Sequence, residues 1–488
     1  MPTGPGEEPL DLLGIGVGPA NLALAALADG LPDLRVACVE ERPAFRWHPG
    51  LLIEEATLQV PFLADLVTLV DPTSRWSFLN WLRERGRLFP FYFAERFHIP
   101  RVEYEAYCRW AAERLPNLRF GLRAEGMRRE PDGLLAVRIT PTGTPGGVGG
   151  EAAGWVRTRN VVLGLGTAPH LPAPLRLAAE RDGAPVLHSA EYLDHRERLL
   201  RARHVTVIGS GQSGAEVLLD LLRRRPAGRE GLHWLTRSPA FAPMEYSKLG
   251  LEHFTPDYTR YFHSLPETTR DALVARQWQL HKAVDHETLA ALHDELYHHD
   301  LALPDDAWPQ VVLTPGVEVR TVEPLGSGRL RLELHHAEQG VDSSLTTDAV
   351  VAATGYRERS VEALLAGLGE AVRRDAAGRP VIGADHRVEL SDGAPGAVFS
   401  AGAERHTHGV GTPDLGLMAH RAATVINGVA GRERYPLPAR TAFTTFGAVR
   451  GAADAPRPTG TPSAASLPGP RGGPVPDAAG SADPAGSG

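Results

Sequence analysis

Two glycine-bearing turns, one beginning at Gly16 and the other at Gly209, limit what this chain can fold into more than any other feature. The first lies in DLLGIGVGPANLALAALAD, from Asp11 to Asp29: an apolar run, closely spaced glycines, then an Ala/Leu-rich helix. That order of strand, turn and helix suits a diphosphate. Gly16 lets the chain turn tightly and Gly18 lets the backbone approach the phosphates. The helix opening at Pro19 then presents its unpaired N–H groups and positive dipole end to the anion. Asn21 stands where the third glycine of such a turn usually falls. A second strand, Leu34–Val39, runs into Glu40, roughly 20 residues beyond the turn, where a carboxylate can hold an adenosine ribose. A glycine cluster alone also fits an ordinary structural turn; Glu40 at this spacing favours a nucleotide.

The second turn, Gly209-Ser210-Gly211-Gln212-Ser213-Gly214, has all three glycines in register, with strand His204–Ile208 before it and a helix over Ala215–Arg225 after it. Its next strand, Leu232–Leu235, ends near Thr236-Arg237 rather than at an acid. A guanidinium there suits a ribose 2′-phosphate and favours NADPH over NADH, although a solvated surface arginine reads the same way. Two such turns, with a late strand ending in Ala352-Ala353-Thr354-Gly355-Tyr356, imply two nucleotides bound face to face. The usual chemistry of that arrangement is hydride transfer from a nicotinamide to a flavin.

The rest of the chain is read around these turns. A length of 488 residues allows two or three domains, and 42% hydrophobic with 23% charged residues is ordinary for a globular protein. A net charge of -8 offers no general attraction to nucleic acid or anionic membranes, and no apolar run is long enough to span a bilayer. Cys38 and Cys108 are too far apart for a CxxC pair or a zinc site, and with no disulfide framework or signal peptide the expected location is the cytoplasm. Residues 1–9 read as a loose leader, Gly143–Gly154 as a surface loop, and Ala448–Gly488, with almost no large apolar side chains, as a disordered tail. Helices are expected at Trp76–Arg85, Tyr104–Leu115 and about Leu415–Val429, and strands at Val161–Gly166, Arg329–His335, Asp348–Ala353 and Val398–Ala401. Residues 241–300 are helical, aromatic and His-rich, and are expected to pack over the cofactors. His293, His298 and His299 lack partner thiolates or carboxylates at a ligating spacing, so no metal is expected.

Several ordered motifs carry a family resemblance over almost everything from Leu10 to Gly447. They are Gly16-Val17-Gly18-Pro19-Ala20-Asn21, Arg46-Trp47-His48, Gln59 with Phe62-Leu63 and Asp65-Leu66, and Asp71-Pro72-Thr73-Ser74. Gly209-Ser210-Gly211-Gln212-Ser213, Ala353-Thr354-Gly355-Tyr356 and His408-Gly409 follow. The chain resembles the flavin-dependent N-hydroxylating monooxygenases of siderophore biosynthesis, which act on lysine, ornithine or diamines, and within them the cadaverine hydroxylases. The resemblance implies an α/β fold with two Rossmann-like domains: 10–170 plus 345–447 for FAD, and 171–344 for NADPH with 241–300 as a substrate-covering segment. It implies that NADPH reduces FAD, that O2 adds at the flavin C4a position, and that a neutral primary amine takes the distal oxygen. By the same resemblance Gln59 lies near the isoalloxazine, Gln212 and Ser213 at the junction of the two nucleotides, and Trp47 and His48 beside FAD. Thr354, Gly355, His408 and Gly409 belong to the cofactor sites, and a homo-oligomer is expected.

Substrate choice is where this sequence departs from the family. Ornithine hydroxylases carry a lysine for the substrate carboxylate where Ala64 stands, and asparagines for the head group at positions that align loosely with Leu251 and Leu280. Apolar residues there leave a carboxylate without a partner, whereas a diamine gains from apolar walls. Asp414 is the candidate partner for the second ammonium. Lysine or ornithine as substrate is the alternative. A disulfide reductase would need a redox cysteine pair, a Baeyer–Villiger enzyme its linker signature, and a non-catalytic flavoprotein would have no use for the second turn.

Overall fold

The strand Gly154–Leu163 changes character half-way, and the first layer of the fold turns on it. Its first half alternates between buried and partly exposed positions, whereas Val161, Val162 and Leu163 are all buried. The alternating half pairs antiparallel with Leu135–Pro141, which pairs antiparallel with Leu122–Arg129. The buried half lies parallel between Leu10–Ile15 and Val398–Ser400. Val36–Glu40 and Leu118–Phe120 extend the parallel side, giving seven strands. This follows from the physics of sheets: parallel strands are covered on both faces, whereas antiparallel strands can face water on one side. The computed structural model describes residues 8–143, 153–181, 183–225, 228, 231–301, 303, 310–326 and 328–448. The expected leader from 1 to 7, residues 144–152 of the expected loop and the expected tail from 449 onward lie outside these.

Three helices and the sheet share one core. Pro19–Ala28 begins with proline at its first position, where the missing N–H costs nothing, and buries every residue from Asn21 to Ala28. Arg101–Arg114 starts after Pro100 and buries Tyr104, Tyr107, Cys108, Trp110 and Ala111 on one face. Met418–Ala430 closes against Pro19–Ala28 and ends at Gly431, which adopts the left-handed conformation (φ 63°). Leu122, Met127, Leu364, Leu365 and Leu368 pack with residues on the other face.

A second sheet of five parallel strands runs in the order Val311–Thr314, Leu232–Leu235, Val205–Ile208, Ala349–Ala352, Val186–His188. Helix Gln212–Arg224 and helix His286–Leu301 pack against each other beside it. The antiparallel strands Val317–Pro324, Leu330–His336 and Val341–Thr347 form a third sheet. The expected boundary at 344/345 needs correction. Ala349–Ala352 pairs inside the second sheet, so the chain returns to the first layer only after Tyr356–Glu358, which pairs antiparallel with Thr167–Pro169. The run AVVA suits a buried parallel strand of either sheet, and its pattern does not say which. Residues up to Thr444 form one unit, and a second begins at Thr445. In the first unit, helices Pro256–His263 and Glu267–Arg276 pack on the short helix Arg405–His408, so the expected covering segment reaches from the second sheet to the first layer. Among the described residues no helix is long and apolar enough to cross a membrane.

Candidate active site

The first turn is shaped for a phosphate-bearing ligand. Gly16 has φ 87°, and a Cβ there would lie 2.4 Å from the Gly164 carbonyl oxygen, so only glycine fits. A Cβ at Gly18 would meet no protein atom within 4 Å, and Gly18 caps Pro19–Ala28 with no side chain covering the helix N–H groups. That leaves backbone donors and a dipole end for an anion. Asn21 replaces the third glycine with a clamp: its Nδ2 donates to the carbonyls of Ile15 (3.1 Å) and Gly16 (2.8 Å). The close approach has moved to Gly164, where a Cβ would lie 2.5 Å from the Asn21 amide. Glu40 is buried at the end of its strand and braces the turn, its carboxylate accepting from the Val17 N–H (2.9 Å) and from Nε of Arg42 (2.8 Å). Burial alone would raise its pKa, but these hydrogen bonds outweigh burial and hold it below the ordinary carboxylate value.

At the second turn Gly209 (φ 120°) lies against the end of Ala349–Ala352: a Cβ there would come within 2.2 Å of the Ala353 carbonyl oxygen. Gly211 caps helix Gln212–Arg224, and Gly214 packs on the Gly209 carbonyl. Ser213 falls in the first turn of that helix. Thr236 Oγ1 donates to Ser210 Oγ (2.9 Å), tying the following strand to the turn, and Arg237 beyond it is exposed. Lys282 is a second cation here, its carbonyl 3.3 Å from where a Gly211 Cβ would stand. Burial, then Arg405 and Arg237, lower the Lys282 ammonium below its ordinary value. Thr354 Oγ1 donates to the His170 carbonyl (2.5 Å), and the Gly355 carbonyl accepts from the His170 N–H (3.0 Å) and contacts His188 Nε2 (3.0 Å).

A hydrogen-bonded chain runs from Gln59 in the first layer to Gln212 at the second turn. Gln59 Oε1 accepts from Arg101 (3.1 Å), and Arg101 pairs with Glu216 (2.7 Å). Glu216 accepts from Gln212 Nε2 (2.8 Å), which also donates to Thr288 (3.0 Å), while Gln212 Oε1 accepts the Asp285 N–H (2.7 Å). The Arg101 and Glu216 side chains are only 12% and 5% exposed, so the pair is largely desolvated. The sequence reasoning named Gln59 and Gln212 but missed Arg101 and Glu216. Glu216 was within reach, standing four residues from Gln212 on the same helical face. Nearby, Trp47 lies edge-on to His48 (5.0 Å) and to Tyr104 (5.2 Å), and His48, in a left-handed conformation (φ 45°), lies edge-on to Tyr356 (5.6 Å). Burial, then Arg101 and Arg42, push the His48 imidazole down to about 4, so it is neutral near pH 7.

On the other side of the first turn, His408 is buried with Nδ1 at 2.8 Å from Thr407 Oγ1, while its Nε2 has no protein partner. Its ring stacks on His386 (4.2 Å). An unpartnered buried ring nitrogen is the kind of group a bound flavin can satisfy. Gly409 (φ 78°) follows, and a Cβ there would lie 3.0 Å from the Phe262 ring, tight enough that the ring would have to shift. The fully buried Glu404 pairs with Arg421 (3.1 Å), whose guanidinium also donates to the Thr412 carbonyl. This anchors the loop that carries Asp414.

Comparison with known proteins decides the family. The sequence profile of the L-lysine 6-monooxygenase/L-ornithine 5-monooxygenase family matches residues 8–358. The chain belongs to this family. It is 43% identical over 444 residues to the rhizobactin siderophore biosynthesis protein RhbE of Rhizobium meliloti, covering 90% of this chain and 95% of that one. It is 38% identical to a putrescine N-hydroxylase of Shewanella oneidensis, covering 89% of this chain and 84% of the relative. Among solved structures, the FAD-bound cadaverine monooxygenase DfoA of Erwinia amylovora superposes with a TM-score of 0.83 at 38% identity, covering 91% of this chain and 99% of that one.

Within this N-monooxygenase the candidate substrate residues differ in setting. Ala64 is 4% exposed, on the segment between Gln59 and Asp65. Asp65 is a structural acid, accepting from the N–H groups of Val67, Thr68 and Phe78. Leu251 stands on the turn Gly250–Phe254 and is 39% exposed, so it meets solvent as well as protein. Leu280 is half-buried at the end of the turn Trp278–Leu280, beside the Gln279 carbonyl that accepts the Glu245 N–H (3.1 Å). Asp414 is half-buried and accepts the Gly416 N–H (2.7 Å), and burial pushes its carboxyl up to about 6. Tyr246, which the sequence did not single out, falls within electrostatic reach of Asp285, Asp414 and Arg101, and its hydroxyl is raised above the ordinary tyrosine value chiefly by burial.

Proposed function

We propose that this monooxygenase N-hydroxylates one terminal amine of a diamine, cadaverine or putrescine, with FAD and NADPH as cofactors, in hydroxamate siderophore biosynthesis. The observation that carries the diamine reading is the buried Ala64 at the position where the ornithine hydroxylases keep a lysine. A substrate carboxylate brought there would lose its water without gaining a cation. A methylene chain instead gains about 0.8 kcal/mol for each CH₂ it buries, and Asp414 supplies an acid for the remaining ammonium.

Bound FAD, reduced by NADPH, supplies the oxygen-activating chemistry. The residues of this chain hold and screen it. Gly16, Gly18 and the helix end at Pro19 seat the FAD diphosphate, with Asn21 and Glu40 fixing the shape of the turn. Gly209, Gly211 and Gly214 seat the NADPH diphosphate, with Arg237 for the 2′-phosphate. Gln59 and Gln212, joined through Arg101 and Glu216, hold the two cofactor sites in register, which is a positioning task in which ångström errors are costly. Trp47, backed by Tyr104, and Tyr356 flank His48 and exclude water from that side. The amine must react in its neutral form, although an alkylammonium of this kind has a pKa near about 10.4 in water. Apolar surroundings at Ala64 favour loss of that proton. Cys38 and Cys108 are both free and buried, in keeping with a reducing cytoplasm.

Hydroxylamine formation from cadaverine, putrescine, lysine and ornithine under one set of conditions tests this reading. A diamine should exceed either amino acid at least tenfold in kcat/KM, about 1.4 kcal/mol in the transition state. Lysine turning over as well as cadaverine would remove the diamine assignment.

A further inference from the structure

Four successive backbone N–H groups, from Thr441 to Thr444, are held by two carboxylates of the covering segment. Asp257 accepts from the N–H groups of Thr441 (2.5 Å) and Ala442 (2.8 Å), both at Oδ2. Glu252 accepts the next two, Phe443 at Oε1 (2.9 Å) and Thr444 at Oε2 (2.8 Å). The contact is reciprocal. The Asp257 N–H donates to Thr441 Oγ1 (3.2 Å), and Arg260, paired with Asp257, donates to the Ala439 carbonyl (2.7 Å). Residues 439–444 belong to no helix or strand, so these side chains provide the partners that secondary structure provides elsewhere. Burial would raise the Asp257 carboxyl, but the Thr441 and Ala442 N–H groups and Arg260 hold it below the ordinary aspartate value. Hydrogen bonds from Thr444 and Phe443 lower Glu252 in the same sense.

We propose that Glu252 and Asp257 are positioning residues: they clip residues 439–444, as a strap, onto the covering segment and so hold that segment against the substrate side of the site. The strap has a fixed end. Just before it, the Tyr435 hydroxyl donates to the Leu27 carbonyl (2.6 Å) in helix Pro19–Ala28, and Asn427 Nδ2 donates to the Tyr435 carbonyl (2.8 Å). What it clips has a defined neighbour. Glu252 lies in the turn Gly250–Phe254, beside Leu251, and Asp257 in the first turn of helix Pro256–His263. Phe262 of that helix lies against Gly409, and the His253 carbonyl oxygen faces Gly411, 3.9 Å from where a Cβ would stand. Both glycines belong to the loop from His408 to Asp414. The strap therefore ties the covering segment to the first layer and acts on amine binding and water exclusion, while the two glycine turns are built from other elements. The proposal rests on the reading of the loop to Asp414 as the substrate side.

Trypsin digestion and steady-state kinetics on the full-length, FAD-loaded enzyme test it, with Glu252→Ala, Asp257→Ala and the two combined. The Arg440–Thr441 bond lies inside the strap, so its cleavage tracks the opened population, and the combined variant should be cut at least about tenfold faster than the parent. That variant should also raise the KM for the amine the parent turns over fastest, and the peroxide released per NADPH oxidised, each by roughly fivefold or more. Flavin content and flavin reduction by NADPH should stay as in the parent. Conservative variants grade the effect. Both donors to Asp257 share one oxygen, so Asp257→Asn keeps its acceptor and should stay near the parent. The donors to Glu252 use both oxygens, so Glu252→Gln should fall between the parent and Glu252→Ala. Parent-like cleavage of Arg440–Thr441 in the folded combined variant would overturn the clip. Faster cleavage with unchanged KM and peroxide yield would overturn the positioning role, leaving a structural tie only. Should the combined variant lose its flavin, Glu252→Gln decides by the same two measurements. Trypsin needs no amine and the amine is chosen by turnover, so neither outcome depends on whether the substrate is a diamine.

Discussion

Arg237 and Lys282 are two cations at the second glycine turn. Arg237 lies two residues beyond the strand that follows the turn, a position from which a guanidinium can meet a ribose 2′-phosphate. The Lys282 carbonyl lies beside Gly211, and its ammonium, lowered chiefly by burial, is close enough to Arg405 and Arg237 to be lowered by them as well. Arg237→Ala should therefore raise the KM for NADPH by an amount worth roughly 1.5–3 kcal/mol and leave weak NADH use nearly unchanged. Lys282→Ala should weaken both nucleotides by similar factors. Titration calorimetry with NADP+ and NAD+ checks the pair, and equal losses of both nucleotides on Arg237→Ala would remove the phosphate role. Asp414 gives a test with a pH sign. Its carboxyl holds its proton up to about 6 in the folded protein, against about 3.9 for an aspartate in water. The folded state therefore binds more protons between these values, and stability falls as pH rises from about 4 to about 6, reaching a penalty of at most about 3 kcal/mol above that. Asp414→Asn should raise the melting temperature at pH 8 but not at pH 4. In activity it should raise the KM for cadaverine at least tenfold while leaving flavin reduction by NADPH intact. An unchanged KM would show that the second ammonium is held elsewhere. At this scale the glycines and Asn21 were legible, because each answers a backbone need that only such a residue meets. Lys282 and Arg101 were not, because a lysine or arginine in a polar stretch carries no local sign of what it faces.

At the scale of elements, the Arg101–Glu216 pair ties a helix of the first layer to a helix beside the second sheet. Arg101 opens the helix Arg101–Arg114 of the first layer, and Glu216 sits in the first turns of Gln212–Arg224 beside the second sheet. Removing one partner of such a pair strands a desolvated charge. Glu216→Ala should cost about 3–5 kcal/mol in urea unfolding, whereas the apolar pair Arg101→Met, Glu216→Leu should recover most of that stability. The double variant should nonetheless reduce its flavin more slowly with NADPH and release more peroxide per hydroxylamine, since Gln59 and Gln212 have lost their common tether. A double variant with unchanged reduction and coupling would show that the pair is structural only. The helix periodicity gave Tyr104–Leu115 a buried face and nearly its observed span. It could not show that Arg101, three residues before this span, pairs with a residue 115 positions away. The strands Leu122–Arg129 and Leu135–Pro141 escaped notice because Arg and Glu interrupt their alternation on the solvent face. The ATG strand was recognised as a strand and given to the wrong sheet.

Across the whole molecule, the chain passes between the first layer and the second sheet beside the paired strands Thr167–Pro169 and Tyr356–Glu358, and the placement of the two sheets depends further on close backbone contacts. One is unusually tight. Gly50, in the turn Pro49–Leu51 that follows Trp47-His48, packs on the turn Ser189–Glu191 that follows strand Val186–His188 of the second sheet, and a Cβ at Gly50 would lie 1.8 Å from the Ala190 carbonyl oxygen. No rotamer relieves a clash between a Cβ and backbone, so Gly50→Ala must push the two turns apart. Apolar packing around Leu51 and Tyr192 resists that movement. The first glycine turn is remote from this contact in the chain and is built from its own strand and helix, so FAD content should stay near one per chain. Hydride delivery spans the contact and should slow by at least tenfold, about 1.4 kcal/mol, as expected when donor and acceptor shift by a fraction of an ångström. Stopped-flow reduction of the flavin by NADPH, beside reduction by dithionite, separates the two effects: dithionite needs no second nucleotide and should act on the variant as on the parent. If NADPH reduces Gly50→Ala at the parent rate, the first layer and the second sheet are held in register by something other than this contact.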